Sequence, residues 1–239
     1  MNSFLIALQF LTIIPVPRPY TTSDKQLGYS ILFYPLIGLL IGSVFVLIAQ
    51  LISHAPSQIQ AAIILTFWVM ITGGLHLDGL ADCADAWVGG LGSKQRSLEI
   101  MKDPAAGPIA VIVLVLVLLL KWTTISHLIE KQSFAVLLIT PALGRLAILI
   151  IMLLTDYIRA EGIGKVLIAN YPRHAGLAIS LLGLLFGIFY LGVLTISLMS
   201  LTLMTIKYLT NKRLGGATGD VYGATLELTE VSILLGVLL

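Results

Sequence analysis

The sequence predicts an all-α polytopic integral membrane protein: one helical bundle of about seven transmembrane helices, preceded by a short N-terminal interfacial or re-entrant helix. Three observations carry that prediction. The 239-residue chain is 58% hydrophobic and 11% charged, with a mean hydropathy of +1.01, whereas a soluble domain is about 25% charged. Apolar runs long enough to cross a bilayer recur along its whole length. The basic residues fall on alternate connections between those runs.

The elements follow in order. Residues 3–14 are apolar but too few to cross, since a spanning helix needs about 20 residues; the run ends at Pro15-Val16-Pro17 without a basic leader or a small-residue cleavage site, so it reads as part of the mature chain. Spans are expected over residues 29–50, 58–77, 107–128 and 133–155. The apolar stretch 175–206 is too long for one crossing and is divided near Leu194. A last span covers 219–239, making seven, and residues 1–239 read as a single domain.

Lys and Arg test this layout, because they accumulate on the cytoplasmic side of a membrane protein. Arg18 and Lys25, then Lys94, Arg96 and Lys102, then Arg159, Lys165 and Arg173, and finally Lys207, Lys212 and Arg213 fall on one side, 11 of the 14 basic residues. The other side receives Lys121 and Lys131, and Arg145 sits inside a span. A net charge of +2 spread over the chain leaves no footprint for nucleic acid. The single cysteine, Cys83, makes an intramolecular disulfide impossible.

The acidic residues point to chemistry. Asp78, Asp82 and Asp85 crowd the end of the second span, Asp103 follows, and Asp220, Glu227 and Glu230 lie in the last span. Ionisable groups at membrane depth cost about 2.5–3.5 kcal/mol each on insertion scales and usually face a polar interior. At 100° per helical residue, Asp78, Asp82 and Asp85 fall within roughly 60° of one another. Three carboxylates on one face call for a cation, and Mg²⁺ is commonly held by a few carboxylates together with substrate phosphates; the competing reading is a solvated acidic helix end. His76, just before the cluster, is a metal ligand, a substrate hydrogen-bond donor or a structural histidine.

Lys102-Asp103 precedes the turn-rich Pro104-Ala105-Ala106-Gly107-Pro108. Asp103 is either the N-cap of the third span or a fourth carboxylate facing the same pocket, and the helix start offers free amides to a phosphate. Arg145 reads as a phosphate clamp or as an ion-pair partner of Asp220 or Glu227. The segment Leu214-Gly215-Gly216-Ala217-Thr218-Gly219-Asp220-Val221-Tyr222-Gly223 opens the last span. Its glycines serve close helix packing or close approach to a ligand, and the polar pair Thr218 and Asp220 favours a phosphate or metal site. Glu227 falls about 20° from Asp220 by the same arithmetic, so both are expected to look into one interior.

The motifs FLTIIPVP, GGLHLDGLADCADAW, EIMKD, EGIGKVLI and GGATGDVYGATLE, in that order over essentially the whole chain, resemble the cobalamin synthases, or adenosylcobinamide-GDP ribazoletransferases. The chain departs from that pattern after EIMKD, where PAAGPIA replaces the usual serine and glycine-rich turn. The resemblance implies an integral enzyme of the bacterial cytoplasmic (inner) membrane with its active site on the cytoplasmic side. Its substrates would be adenosylcobinamide-GDP and α-ribazole or α-ribazole 5′-phosphate, its products GMP and adenosylcobalamin or its 5′-phosphate, and its cofactor Mg²⁺. On that reading Asp78, Asp82 and Asp85 hold metal, Asp103 or Asp220 takes the proton of the attacking hydroxyl, and Lys102, Arg145 and Thr218-Gly219 hold phosphate oxygens, with His76 and Glu227 also at the substrate. The bilayer is the other partner, and a homo-oligomer is compatible with the sequence.

Two other readings compete. The CDP-alcohol phosphotransferases also place an aspartate cluster in a membrane helix, and Asp78-Gly79-Leu80-Ala81 imitates its start; but Asp82 stands where their arginine is expected, and the distal paired aspartates are missing. A cation-coupled transporter would also carry intramembrane carboxylates and glycine-broken helices, yet the aspartates here cluster at a helix end and no inverted repeat is visible.

Overall fold

The computed structural model describes residues 2–16 and 22–239; Arg18, one of the basic residues assigned to the first connection, lies outside them. Among the described residues the chain is helical, without a strand. Helix α1 (Ser3–Leu11) is capped by the Asn2 side chain and spans only ~14 Å at 1.5 Å per residue, under half of a bilayer core. Helix α2 (Asp24–Ser30) starts with a reciprocal Ser23–Gln26 capping box and runs through one 3₁₀ turn, Ile31–Phe33, into α3 (Tyr34–Leu51).

Helix α4 (Ser57–Thr72) is followed by α5 (Leu75–Gly89) after a bend of 87°. The expected single span over 58–77 is therefore corrected. Gly73 and Gly74 both take left-handed backbone angles, φ 63° and 69°, which residues with a Cβ avoid, so the glycine pair turns the chain instead of continuing the helix. The aspartates therefore sit on a helix of their own, turned sharply away from α4.

Helix α6 (Lys94–Ile100) leads to α7 (Pro108–Glu130), α8 (Phe134–Leu154) and the short α9 (Ile163–Ala169). Helix α10 (Arg173–Leu214) is broken at Gly192, φ 86°. Gly187 lies against Ile196, which one straight helix would hold about 13 Å away, so the chain reverses there into two limbs. The division expected near Leu194 falls two residues earlier. Helix α11 (Gly219–Gly236) closes the fold.

Four helical runs are long and apolar enough to cross a membrane: Asp24–Leu51, Pro108–Glu130, Phe134–Leu154 and Arg173–Leu214, with the bent α4–α5 pair a fifth. The expected count of seven is not reproduced by length and composition. It also included α11, which carries three carboxylates, and two crossings for the run broken at Gly192. The long apolar helices are those of a helical membrane protein.

Helix α8 occupies the centre. Gly38 and Gly42 of α3, four residues apart, lie directly on the α8 backbone at Pro141-Ala142 and at Leu138, the small-residue spacing that lets membrane helices approach closely. On another side Gly144 makes room for the Glu230 side chain of α11. These contacts hold α11 in the interior, with its N-terminus at the end of the bundle that carries α5, α6 and the basic connections.

Candidate active site

Helix α5 carries Asp78, Asp82 and Asp85 one and two turns apart, as the spacing predicts. Helix α11 crosses it at Gly79. A Cβ there would stand 2.8 Å from the backbone oxygen of Asp220 and 2.9 Å from its Cα, and one on Gly223 would stand 3.1 Å from the His76 oxygen. The two glycines thus let the helix backbones touch, and the touch brings Asp220 beside the α5 aspartates. Asp82 lies within electrostatic reach of Asp220, Asp78 and Asp85 and of the Arg159 guanidinium.

Arg159 comes from the connection between α8 and α9. Ala217 N donates to Asp156 O at 2.7 Å, and Ile158 N donates to Ala217 O at 3.0 Å, so this connection is stitched to the entry of α11. Arg159 Nη2 then donates to Asp220 Oδ2 at 2.6 Å and to Met101 O at 3.4 Å. Thr218 caps α11 by accepting from Val221 N, and its hydroxyl donates to the same Asp220 oxygen at 3.3 Å. Asp220 keeps 18% side-chain exposure and Arg159 32%, Asp78 is exposed and Asp82 half-buried. A Cβ on Gly219 would meet open space, which leaves the helix start accessible.

Asp85 departs from the expected trio. Its carboxylate accepts from Gly107 N at 2.5 Å and Ala110 N at 2.9 Å, so it caps α7 from another helix. The amides expected to be free for a phosphate at that helix start are taken to the same extent. Asp103 is not the N-cap, which is Gly107; its carboxylate accepts from Ala105 N at 3.0 Å and closes a turn in an exposed loop beside Lys102.

Among the described residues no group of three His, Cys, Asp or Glu side chains is arranged to hold a metal ion. Asp78 and Asp82, one turn apart, remain as donors. Mg²⁺ is usually bound through only one or two carboxylates, with waters and substrate phosphates completing its shell, and the donor set fits a metal held in that way.

A second group of charges lies deeper. Lys121 Nζ donates to Glu227 Oε2 and Glu230 Oε2, each at 2.6 Å, and stands 4.6 Å from the Trp68 ring centroid. Arg145 Nη1 donates to Glu230 Oε1 at 2.8 Å and to Pro141 O at 3.1 Å. All four side chains are buried. The expected Arg145 pairing with Asp220 or Glu227 is corrected to Glu230, and the structure does not bring Arg145 to the aspartate cluster. Glu227 shares an angular position with Asp220 but lies seven residues further on, ~10 Å along the axis, so the two do not face one interior. Lys121, assigned to the far connection, is inside the bundle. His76 is buried within electrostatic reach of Arg145 and Lys121, its Nδ1 without a hydrogen-bond partner, and stands with the deep group.

Sequence reasoning missed Arg159 and Lys121. The intramembrane-charge rule that singled out Arg145 applies equally to Lys121, which lies within the expected third span. Arg159 carries no periodic signal; only the pairing of its loop with Ala217 brings it to Asp220.

The family model described as cobalamin-5-phosphate synthase matches residues 3–238. A protein of Pseudomonas fluorescens named adenosylcobinamide-GDP ribazoletransferase is 48% identical over 242 residues, covering 100% of both chains. Proteins of the same name from Pseudomonas putida and Stutzerimonas stutzeri are each 46% identical, covering 100% of this chain and 99% and 98% of theirs. No solved structure matches. A family model matched over almost the whole chain and end-to-end identities of 46–48% leave one assignment: the chain belongs to the cobalamin-5-phosphate synthase family.

Proposed function

We propose that this protein is an adenosylcobinamide-GDP ribazoletransferase, embedded in the bacterial inner membrane with its active site on the cytoplasmic side. It joins adenosylcobinamide-GDP to α-ribazole or α-ribazole 5′-phosphate, giving adenosylcobalamin or its 5′-phosphate and GMP. The observation that carries the reading is the convergence of Asp78, Asp82 and Asp220, from two helices in backbone contact, at an accessible end of the bundle with a single guanidinium among them. Such an excess of negative charge suits a diphosphate substrate that arrives with a divalent cation.

Asp78 and Asp82 would hold Mg²⁺, which supplies neutralisation of the diphosphate and of the leaving GMP. The ribazole hydroxyl attacks the phosphorus nearer the corrinoid, and the bond from that phosphorus to the bridging oxygen breaks. Asp220 accepts the hydroxyl proton on its carboxylate, a role for which its Arg159 and Thr218 partners fix the oxygen in place. Arg159, beside Asp220, would turn its remaining N–H groups to the substrate phosphates; Lys102, which follows the Met101 carbonyl that Arg159 also holds, and the open Gly219 edge of α11 would receive them too. Asp85 orders the α7 entry, and Arg145 and Glu227 act through the position of α11.

The test is GMP release from adenosylcobinamide-GDP and α-ribazole by the detergent-purified protein, with Mg²⁺ or with EDTA. Activity that requires the metal and collapses in Asp82→Asn supports the proposal. Full activity in Asp82→Asn overturns the carboxylate site, and a folded wild type that releases no GMP overturns the reaction.

A further inference from the structure

On the side of α5 away from Asp78, a cavity of about 390 Å³ opens between α7 and the second limb of α10, within the range of roughly 300–1,000 Å³ for small-molecule sites. Its floor is the apolar face of α11, at Val221, Ala224 and Leu228, and its walls include Leu80, Val113 and Ile206. Trp87, 42% exposed, stands at the mouth, and Val88 and Leu91 beside it are more exposed still. Hydrocarbon walls with an apolar surround suit a ligand that comes from the bilayer.

A second hollow continues outward from the first. It shares Trp87, Leu209 and Arg213 with it and adds Ser93, Lys94 and Lys212, and no acidic residue lines either one. The Arg213 guanidinium lies 4.5 Å from the Trp87 ring centroid and donates to Ala86 O at 3.3 Å, while Lys212 lies 5.5 Å from the Tyr208 ring. An apolar hole with three uncompensated cations at its rim is complementary to one kind of amphiphile. We propose that this is a binding site for an anionic phospholipid, with an acyl chain in the cavity and the phosphate on Lys94, Lys212 and Arg213. Basic pockets between membrane helices take anionic head groups, and tryptophan with lysine and arginine marks the interfacial depth at which those groups lie.

Trp87 provides the probe. The full-length protein is placed in phosphatidylcholine nanodiscs doped with dibrominated phosphatidylglycerol or, at the same mole fraction, dibrominated phosphatidylcholine, and bromine quenching is compared between wild type and Trp87→Phe to isolate the Trp87 signal. The site predicts several-fold stronger quenching by the anionic lipid. It also predicts a ratio near one in Lys94→Gln/Lys212→Gln, which keeps the Arg213 contact to α5, and in Arg213→Gln. Equal quenching by the two lipids in wild type overturns the proposal, as does a preference that survives in both basic variants. Relief of quenching by added α-ribazole in both kinds of disc assigns the cavity to the nucleoside instead and also overturns it.

Discussion

Two groups of charge meet on helix α11, about two to three turns apart along it, and the fold treats them in opposite ways. At the accessible end, Asp78, Asp82 and Asp220 face one guanidinium, that of Arg159. In the interior, Lys121 and Arg145 are matched by Glu227 and Glu230 and all four are buried. Removing one member of a buried pair leaves an uncompensated charge, at a cost of about 3–5 kcal/mol, so the interior group is neutral by necessity. The outer group can keep an excess of negative charge because it is open to water, and the proposed cation would complete it. On the proposed reading, excess charge marks the site that acts and balance the scaffold that positions it.

The largest expected effect separates the two groups by activity. Asp220→Asn removes the proposed proton acceptor and should lower GMP release by ~10²–10⁴-fold, while the ion pair with Arg159 that it weakens is worth about 1 kcal/mol of stability. Parallel turnover and thermal-unfolding measurements in detergent check both. A comparable loss of stability would erase the distinction.

Glu230→Gln addresses the interior, stripping Lys121 and Arg145 of their shared carboxylate, and should destabilise by about 3–5 kcal/mol. Unfolding in graded denaturant reads this, and Arg145→Met combined with Glu230→Leu, which leaves Lys121 paired with Glu227, should be milder than Glu230→Gln alone. Whatever activity Glu230→Gln retains should keep the metal dependence proposed for the wild type.

Gly79→Ala joins the two regions. Its new Cβ would meet the Asp220 backbone at 2.8 Å, so α5 and α11 must separate, with a stability loss of about 1–3 kcal/mol from overpacking and a fall in turnover beyond what unfolding explains. Asp85→Ala should have the smallest effect, a loss of about 0.5–2 kcal/mol as expected for a missing helix cap. Wild-type apparent affinity for Mg²⁺ in that variant would confirm Asp85 as a cap, and a weakened affinity would return it to the metal site.

Much of this was legible in the sequence. The low charge and long apolar runs allow nothing but membrane helices, and the expected boundaries of α7 and α8 lie within one or two residues of those observed. The Asp78, Asp82 and Asp220 positions were legible because carboxylates in apolar sequence are costly and therefore rare. The Gly73-Gly74 bend was not, since a glycine pair continues a membrane helix or breaks it according to what packs on either side. Glu227 was misplaced because helical arithmetic returns an angle and is silent on depth. Lys121 was misplaced although it lies within the expected third span as Arg145 lies within the fourth; only the identity of its partners, more than a hundred residues further along the chain, was beyond the sequence.

By itself the sequence determined the class of solvent, the approximate spans and the residue types of the site, because transfer free energies and helical periodicity are local properties that each segment carries alone. Tertiary structure decided which charges meet. That Asp220 takes Arg159, Asp85 the α7 amides and Arg145 Glu230 depends on where glycines let backbones touch, and electrostatic pairing over a few ångströms is a property of that packing, which no single segment encodes.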